Sequence, residues 1–216
     1  MRMDTKALLL LLNWMSPAFP IGAYAYSHGL EWAIEQGEVK SKAEVEAWIT
    51  DLLTRGSGWN DAVFFALSYE QDVNELALAL CSSRERYMET TQLGAAFESA
   101  VQSFGVNVAP PPQGRRAALA YPVAAARACK AMGISCDHAL LAFLQGFSNA
   151  LISVAVRLVP IGQTAGLEVM RDVMPVISSV ATRAQQATVA DLGSCTVLSD
   201  IAAIKHETQY SRIFRS

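Results

Sequence analysis

Three side chains that can bind a metal ion lie close together in the second half of the chain: Cys129, Cys136 and His138. Structural zinc sites usually contain ligand pairs about two to four residues apart, together with a fourth ligand. The spacing here is wider, and free cysteine is among the most often buried residue types. Buried structural cysteines are therefore favoured. A helical nickel-binding carrier that uses these residues and His206 is kept as the alternative function.

Ser27 lies in Ala25-Tyr26-Ser27-His28-Gly29, which differs by one residue from the nucleophile elbow of serine hydrolases. That elbow works because a sharp strand-to-helix turn exposes the serine hydroxyl. Residues 20–24 make a poor strand, and helix N-caps favour serine. The sequence therefore predicts that Ser27 starts a helix, and a hydrolase acting through Ser27 is the less favoured hypothesis.

Other chemical signals are weak. His206 and Glu207 could contact a metal ion, or His206 could simply meet the negative end of a helix. No Gly-Lys-Ser/Thr occurs, so no phosphate-binding loop is predicted. The remaining carboxylates are scattered singly. We therefore predict no catalytic residue, no bound cofactor and no metal site, which indicates a protein that is not an enzyme.

Composition favours a protein that buries more apolar surface than most. Of the 216 residues, 52% are hydrophobic and 17% are charged, against about 25% charged in an average soluble domain. The net charge is −3 and no basic stripe occurs, so nucleic acid is not a predicted partner. The four cysteines show no secreted-scaffold spacing, which favours reduced thiols and a cytoplasmic location.

Two segments resemble membrane signals. The apolar run 7–12 is shorter than the apolar core of a signal peptide. Residues 139–156 carry no charge and barely reach the length of a spanning helix. A polar residue nevertheless recurs there every four positions, at Gln145, Asn149, Ser153 and Arg157. This pattern predicts the central helix of a bundle rather than a membrane span.

Helix signals run along the whole chain. Ser41-Lys42-Ala43-Glu44 is a capping box, and Gly56 ends the apolar periodicity that follows it. Similar start signals occur at Asp72-x-x-Glu75 and Ser82-x-x-Glu85, and Ser135 and Pro160 bound the central helix. Further helices are predicted over residues 4–14, 24–36, 61–70, 114–132, 163–173, 175–188 and 200–206, with the helix after Ser82 running to about residue 104.

No convincing strand pattern interrupts these helices. The sequence therefore predicts an all-α fold: a single-domain bundle of about ten helices around a central apolar helix, spanning residues 1–216. The proline-rich stretch within 107–114 is the candidate internal linker.

The last eleven residues, 206–216, combine Tyr210, Ile213 and Phe214 with two arginines, Arg212 and Arg215. Disordered termini are usually small and polar. This composition predicts a segment that docks onto a protein surface, and we call residues 206–216 the tail.

Four stretches resemble the UreF family of urease accessory proteins. They are residues 12–31, the weaker Glu89-Thr90 with Gly94, the segment from Tyr121-Pro122-Val123 through residues 157–166, and the tail. The first contains Ser16-Pro17-Ala18-Phe19-Pro20-Ile21-Gly22-Ala23-Tyr24-Ala25-Tyr26-Ser27-His28-Gly29-Leu30-Glu31.

The resemblance implies an all-helical, usually dimeric protein without enzymatic activity of its own. Such proteins join a second accessory protein, UreD (also called UreH), and the GTPase UreG. The assembly inserts nickel into apo-urease with GTP hydrolysis by UreG, and the UreF-type adaptor influences that GTPase. The bundle would then offer apolar faces and the polar stripe of its central helix for self-association and docking, with no membrane involved.

The resemblance also implies which residues bind partners. In the tail these are Tyr210, Arg212, Phe214, Arg215 and Ser216, with His206 and Glu207 anchoring the segment. Near the start of the chain they are Tyr24, Tyr26, Ser27, His28 and Glu31.

Overall fold

The computed structural model describes residues 4–108 and 118–216, and this part of the chain contains α-helices and no strand. The predicted all-α fold of about ten helices is confirmed. The helices are α1 (Thr5–Trp14), α2 (Leu30–Glu35), α3 (Lys42–Arg55), α4 (Ser57–Leu67), α5 (Asn74–Ala79), α6 (Arg84–Gln102), α7 (Tyr121–Ala131), α8 (Cys136–Leu158), α9 (Gly162–Ala184) and α10 (Val197–His206). Most of the predicted 107–114 linker, and the start of the predicted helix 114–132, lie outside the described residues.

Helix α8 is central, as predicted. It packs against α9, α4, α2, α7, α3 and α1, and its buried residues include Leu140, Phe143, Leu144 and Leu151. By length and composition α8 could cross a membrane, but half of its most apolar stretch is buried inside the protein. Such burial is typical of the core helix of a bundle and does not indicate a membrane protein.

The capping box of α3 is present as predicted, with the Glu44 amide donating to Ser41 Oγ at 3.3 Å. Two other predicted starts are wrong by one residue. Helix α6 is capped by Ser83 rather than Ser82, because Ser83 Oγ accepts from the Arg86 amide. Before α5, Asp72 accepts from the Asn74 amide and Val73 is the N-cap, so the helix begins one residue later than the pattern predicted.

The predicted helix 24–36 is wrong in its first half. A 3₁₀ turn spans Ala23–Ala25, Tyr26 is extended, and α2 begins only at Leu30 after Gly29 in the left-handed region. The N-cap is therefore Gly29 rather than Ser27, but Ser27 Oγ still accepts from the Glu31 amide in the first turn of α2 at 3.4 Å. The backbone on either side of Tyr26 instead pairs with the tail: the Arg215 amide donates to the Ala25 carbonyl at 2.7 Å, and the Ser27 amide donates to the Ser216 carbonyl. A distant segment overrides the local helix preference here.

The helices predicted over 163–173 and 175–188 are one continuous helix, α9, with Pro175 inside it. Proline removes one backbone hydrogen bond from a helix interior. Helix α9 buries Val169, Val173, Ile177 and Val180 on one face and packs along both α8 and α3. This apolar burial outweighs the lost bond, because each such side chain contributes about 1.5–3 kcal/mol when fully buried.

Gly94, which belongs to the weakest of the four family-like stretches, has a packing role in the structure. It lies in α6 where the helix meets the chain entering α7, and the Tyr121 amide donates to Thr90 Oγ1 at 3.0 Å. A Cβ on Gly94 would overlap the carbonyl oxygen of Leu119 and lie 3.0 Å from its carbonyl carbon. The close approach of α6 and α7 therefore requires glycine at this position.

We expect Gly94→Ala to lower the free energy of unfolding by about 2 kcal/mol, because overpacking costs about 1–3 kcal/mol and outweighs the better helix propensity of alanine. Urea denaturation followed by circular dichroism measures this change. Ser99→Ala, at an exposed position of the same helix, is the control and should leave stability nearly unchanged. A Gly94→Ala protein as stable as the wild type would contradict the proposed packing.

Candidate protein-docking site at the C-terminal tail

The tail lies against residues 25–31 and α6. Ser27 donates to the Ser216 carbonyl oxygen from both its backbone amide and its hydroxyl. Phe214, which is 4% exposed, packs into the hydrophobic core. The tail is thus held by backbone pairing and by one aromatic anchor.

Glu31 of α2 binds the tail through both carboxylate oxygens. Oε1 accepts from the Ile213 amide at 2.8 Å, and Oε2 accepts from the Phe214 amide at 2.9 Å. Gly29 allows α10 to approach α2 closely, since a Cβ at this position would lie 2.7 Å from the Ala203 nitrogen. Glycine before α2 therefore brings Glu31 within reach of the segment that follows α10.

His206, at the end of α10, is fully buried between two carboxylates. Its Nε2 lies 3.0 Å from Glu31 Oε2, and its Nδ1 lies 2.8 Å from Glu85 Oε2 on α6. Burial lowers the pKa of His206, but the hydrogen bonds and charges of Glu85 and Glu31 outweigh it and raise the pKa overall. Glu85 Oε1 also accepts from Arg212 Nη1 at 2.9 Å.

Glu207 fixes the start of the tail to α6. Its Oε1 accepts from the Arg84 amide at 2.9 Å, in the first turn of that helix. A carboxylate at this position is favoured because the first amides of a helix lack intrahelical partners and carry partial positive charge. His206 and Glu207 therefore both contact α6 through their side chains.

A second buried cluster lies beside the first. Arg86 of α6 contacts Glu89 Oε2 at 2.7 Å and Asp61 Oδ2 of α4 at 3.2 Å, and His28 Nε2 lies 2.9 Å from Glu89 Oε1. Burial raises the pKa of Glu89, but Arg86 and His28 outweigh it and lower the pKa to about 2. For Asp61 burial dominates and its pKa is raised.

Ser216 connects the tail to this second cluster, since its hydroxyl donates to Glu89 Oε2 at 3.1 Å. The two clusters together form what we call the tail network. It contains four carboxylates and four basic side chains: Glu31, Asp61, Glu85, Glu89, His28, Arg86, His206 and Arg212.

The structure divides the predicted partner-binding residues into a buried and an exposed set. The buried residues are Tyr26, Ser27, His28, Glu31, His206, Phe214 and Ser216. The exposed residues are Tyr24, Tyr210, Arg212 and Arg215, while Glu207 is half-buried. The buried set holds the tail in place together with Arg212, which is exposed but donates to Glu85 Oε1.

An exposed apolar stripe lies on α10, the helix that leads directly into the tail. Val197, Ile201 and Ile204 recur at helical spacing on the solvent side of α10, so they share one face. Tyr210 is fully exposed and Ile213 is 72% exposed. We call α10's exposed face together with the exposed tail residues the tail surface.

Sequence reasoning missed Asp61, Glu85 and Arg86, and it placed Glu89 only in a weak motif. Glu85 and Glu89 are four residues apart on α6, a spacing that puts both on one helix side. This spacing, with Arg86 between the two glutamates, was the sequence signal that could have predicted the charged cluster. The 82–85 segment was interpreted as a helix start instead, so the buried role of Glu85 was overlooked.

The polar stripe of α8 faces inward more than expected. Asn149 and Ser153 line a cavity of about 250 Å³ between α8 and residues 14–24. Gln145 Nε2 donates to Met170 Sδ of α9 at 3.1 Å. Among the stripe residues only Arg157 is exposed, and the other three are half-buried. Gln145 therefore has a partner inside the chain, and the use of the stripe for docking stays a prediction.

The residues considered for metal binding are not gathered into one site. Burial raises the pKa of Cys129 to about 12 and that of Cys136 to about 11, which disfavours the thiolate that binds metal. His138 Nδ1 lies 2.8 Å from Ser135 Oγ. Within residues 4–108 and 118–216 no group of three or more His, Cys, Asp or Glu side chains is placed to hold a metal ion.

The hydrolase hypothesis also lacks its geometry. A serine nucleophile needs a general base within hydrogen-bond distance. Ser27 Oγ donates instead to the Ser216 carbonyl oxygen, and the neighbouring His28 contacts Glu89 through Nε2 and Ser57 Oγ through Nδ1. Ser27 therefore has a structural partner, and no general base lies within hydrogen-bond distance of it among the residues that the structure describes.

Comparison with known proteins points to one family. A sequence model of the UreF family matches residues 39–174. A urease accessory protein UreF of Ruegeria pomeroyi is 43% identical, with 98% of this chain and 97% of the relative aligned. UreF 1 of Brucella anthropi is 44% identical, over 98% and 95% of the two chains. UreF of Roseobacter denitrificans is 42% identical, over 99% and 96%.

Proposed function

Because this chain belongs to the UreF family of urease accessory proteins and so has a role in urease maturation, we propose that it acts there as a non-enzymatic adaptor. It bridges UreD (UreH) and the GTPase UreG during GTP-dependent nickel insertion into apo-urease, and it modulates the GTPase. The adaptor works in the cytoplasm as a homodimer. The relatives are named accessory proteins rather than enzymes, which supports the non-enzymatic role.

The observation that carries this proposal is the tail surface. The tail network holds the inner side of the tail through Glu31 and Glu89. The exposed side of the tail is therefore ordered before a partner binds. Preorganised surfaces bind more tightly because little conformational entropy is lost on association. Exposed Tyr210 and Arg212 are of the residue types that most often dominate binding energy.

We assign the tail surface to UreD. Tyr210, Ile213, Arg212 and Arg215 contact it directly, together with the exposed Tyr24. Phe214, Ser216, His206, Glu207, Tyr26, Ser27, His28 and Glu31 act by holding these residues in position. UreG and apo-urease join through the assembled complex, and co-expression with UreD and UreG followed by mass measurement of the purified complex tests the assembly.

The paired substitution Tyr210→Ala and Ile213→Ala is expected to weaken UreD binding at least about 30-fold, since two exposed anchors are lost at the centre of the surface. Isothermal titration calorimetry with purified UreD measures this. Neither side chain is buried, so the helical circular dichroism should not change.

The matched control is Leu167→Ala, which removes an apolar side chain that is 73% exposed on α9 and should leave UreD affinity unchanged. Full-affinity binding by the Tyr210/Ile213 variant would show that UreD docks elsewhere. The same conclusion would follow if a chain lacking residues 210–216 still bound UreD normally.

A further inference from the structure

Both ring nitrogens of His206 face carboxylates in a site without solvent access. Glu31 approaches Nε2 at 3.0 Å from α2, and Glu85 approaches Nδ1 at 2.8 Å from α6. A neutral imidazole donates from only one nitrogen, whereas the imidazolium donates from both. The docked geometry therefore needs the protonated ring.

The charges around His206 agree with this assignment. From the neighbouring elements it meets Glu31 of α2, Glu85 of α6 and, through Glu85, the guanidinium of Arg212 in the tail. On its own helix Lys205 is exposed, and the adjoining Glu207 is bound to the Arg84 amide. Protonated His206 and Arg212 balance the two carboxylates, while a neutral ring would leave one buried negative charge unpaired.

The carboxylates that hold His206 also hold the tail. Glu31 accepts from the Ile213 and Phe214 amides, and Glu85 accepts from Arg212. If His206 loses its proton, one ring nitrogen presents a lone pair to a carboxylate, and that carboxylate must move or be exposed to water. Either change disturbs the atoms that position residues 212–214.

We propose that His206 is a pH-operated latch: its doubly protonated ring keeps the tail docked between α2 and α6, and loss of the proton as the pH rises loosens the tail. This inference rests on the proposed function in one respect, that the tail surface binds UreD. The latch then makes UreD binding strongest near and below neutral pH and weaker above it.

The direction of the effect follows from proton linkage. In the released tail His206 titrates near the ordinary value of about 6.5, and in the docked state its pKa is raised. Docking therefore keeps its full stability below pH of about 6.5 and loses it as the pH rises through the docked value. Between the two values the docking constant falls by up to about tenfold per pH unit.

Hydrogen–deuterium exchange on the isolated full chain tests the latch without any partner. After correction for intrinsic exchange, protection of a peptide covering residues 207–216 should fall by up to about tenfold per unit between pH 6.5 and 8.5. His206→Gln should lower protection and remove its pH dependence. The control is His138→Gln, since His138 contacts Ser135 and not the tail network. This variant should keep the wild-type slope. Flat wild-type protection, or a slope that survives in His206→Gln, would overturn the latch.

Nitrogen-15 spectra of the histidine rings give a second measurement that needs no variant. At pH 7 we expect both His206 nitrogens to carry protons. A neutral tautomer with one bare nitrogen at that pH would refute the latch even if His206→Gln failed to fold.

Titration with purified UreD from pH 6.5 to 8.5 separates the latch from the proposed function. Affinity should fall with pH for the wild type and stay level for His206→Gln. If tail protection follows the predicted slope while UreD affinity does not change with pH, the latch stands and the assignment of the tail surface to UreD is wrong.

Discussion

Replacing Arg86 by methionine is expected to lower the free energy of unfolding by about 3–5 kcal/mol, the usual loss when one partner of a buried ion pair is removed. The guanidinium contacts Glu89 at 2.7 Å and Asp61 at 3.2 Å, and all three side chains are largely buried. Methionine keeps much of the volume but leaves Asp61 without its only hydrogen-bonding partner among the described residues. Urea denaturation at pH 7 measures the loss.

Arg55→Met is the matched control. Arg55 pairs with Asp51 at 2.6 Å on the same helix, but both side chains are at least half exposed. Exposed pairs contribute about 0–1 kcal/mol, so this variant should be nearly as stable as the wild type. If both substitutions lowered the free energy of unfolding equally, burial of the Arg86 ion pairs could not be the cause of the loss.

The second large effect is expected for Glu31→Ala, which should release the tail and abolish measurable UreD binding. The substitution leaves the half-buried Ile213 amide and the buried Phe214 amide without acceptors and removes one carboxylate from His206. Each unsatisfied buried group costs about 1–3 kcal/mol. With these bonds lost, we expect the tail to leave its docked position while the helical core stays folded.

Exchange protection of residues 207–216 and calorimetric titration with UreD measure the two consequences, and circular dichroism should report an intact helical core. Glu35→Ala is the control, since Glu35 lies on the same helix but is exposed. Normal tail protection in Glu31→Ala would contradict the role given to this carboxylate. Lost protection together with normal UreD affinity would separate tail docking from partner binding.

Much of the fold could be predicted because the signals are local. The capping box at Ser41 and the apolar periodicity after it act over one or two helical turns, and α3 has the predicted start and end. The stretch bounded by Ser135 and Pro160, which is uncharged over residues 139–156, became the central helix α8. The prediction of a helix over residues 24–36 failed in its first half because of a distant contact, since the backbone of Ala25 and Ser27 pairs with the tail.

The candidate site was predictable in part. The composition of residues 206–216 indicated a docking segment, and the family resemblance pointed to both this segment and residues 24–31. Neither could indicate that these two regions contact each other, or that Glu85, Arg86 and Asp61 complete the site from α6 and α4.

By itself the sequence determined the helical architecture, the family and the apolar character of the tail, because each depends on residue type and on spacing within a few turns. Only the tertiary structure decided which residues are buried anchors and which are exposed contacts. His206 meets Glu31 across 175 residues of chain, and Ser27 meets Ser216 across 189. Pairs so far apart leave no periodic signal in one sequence, since their proximity arises only when the packed helices bring α2, α6 and α10 together.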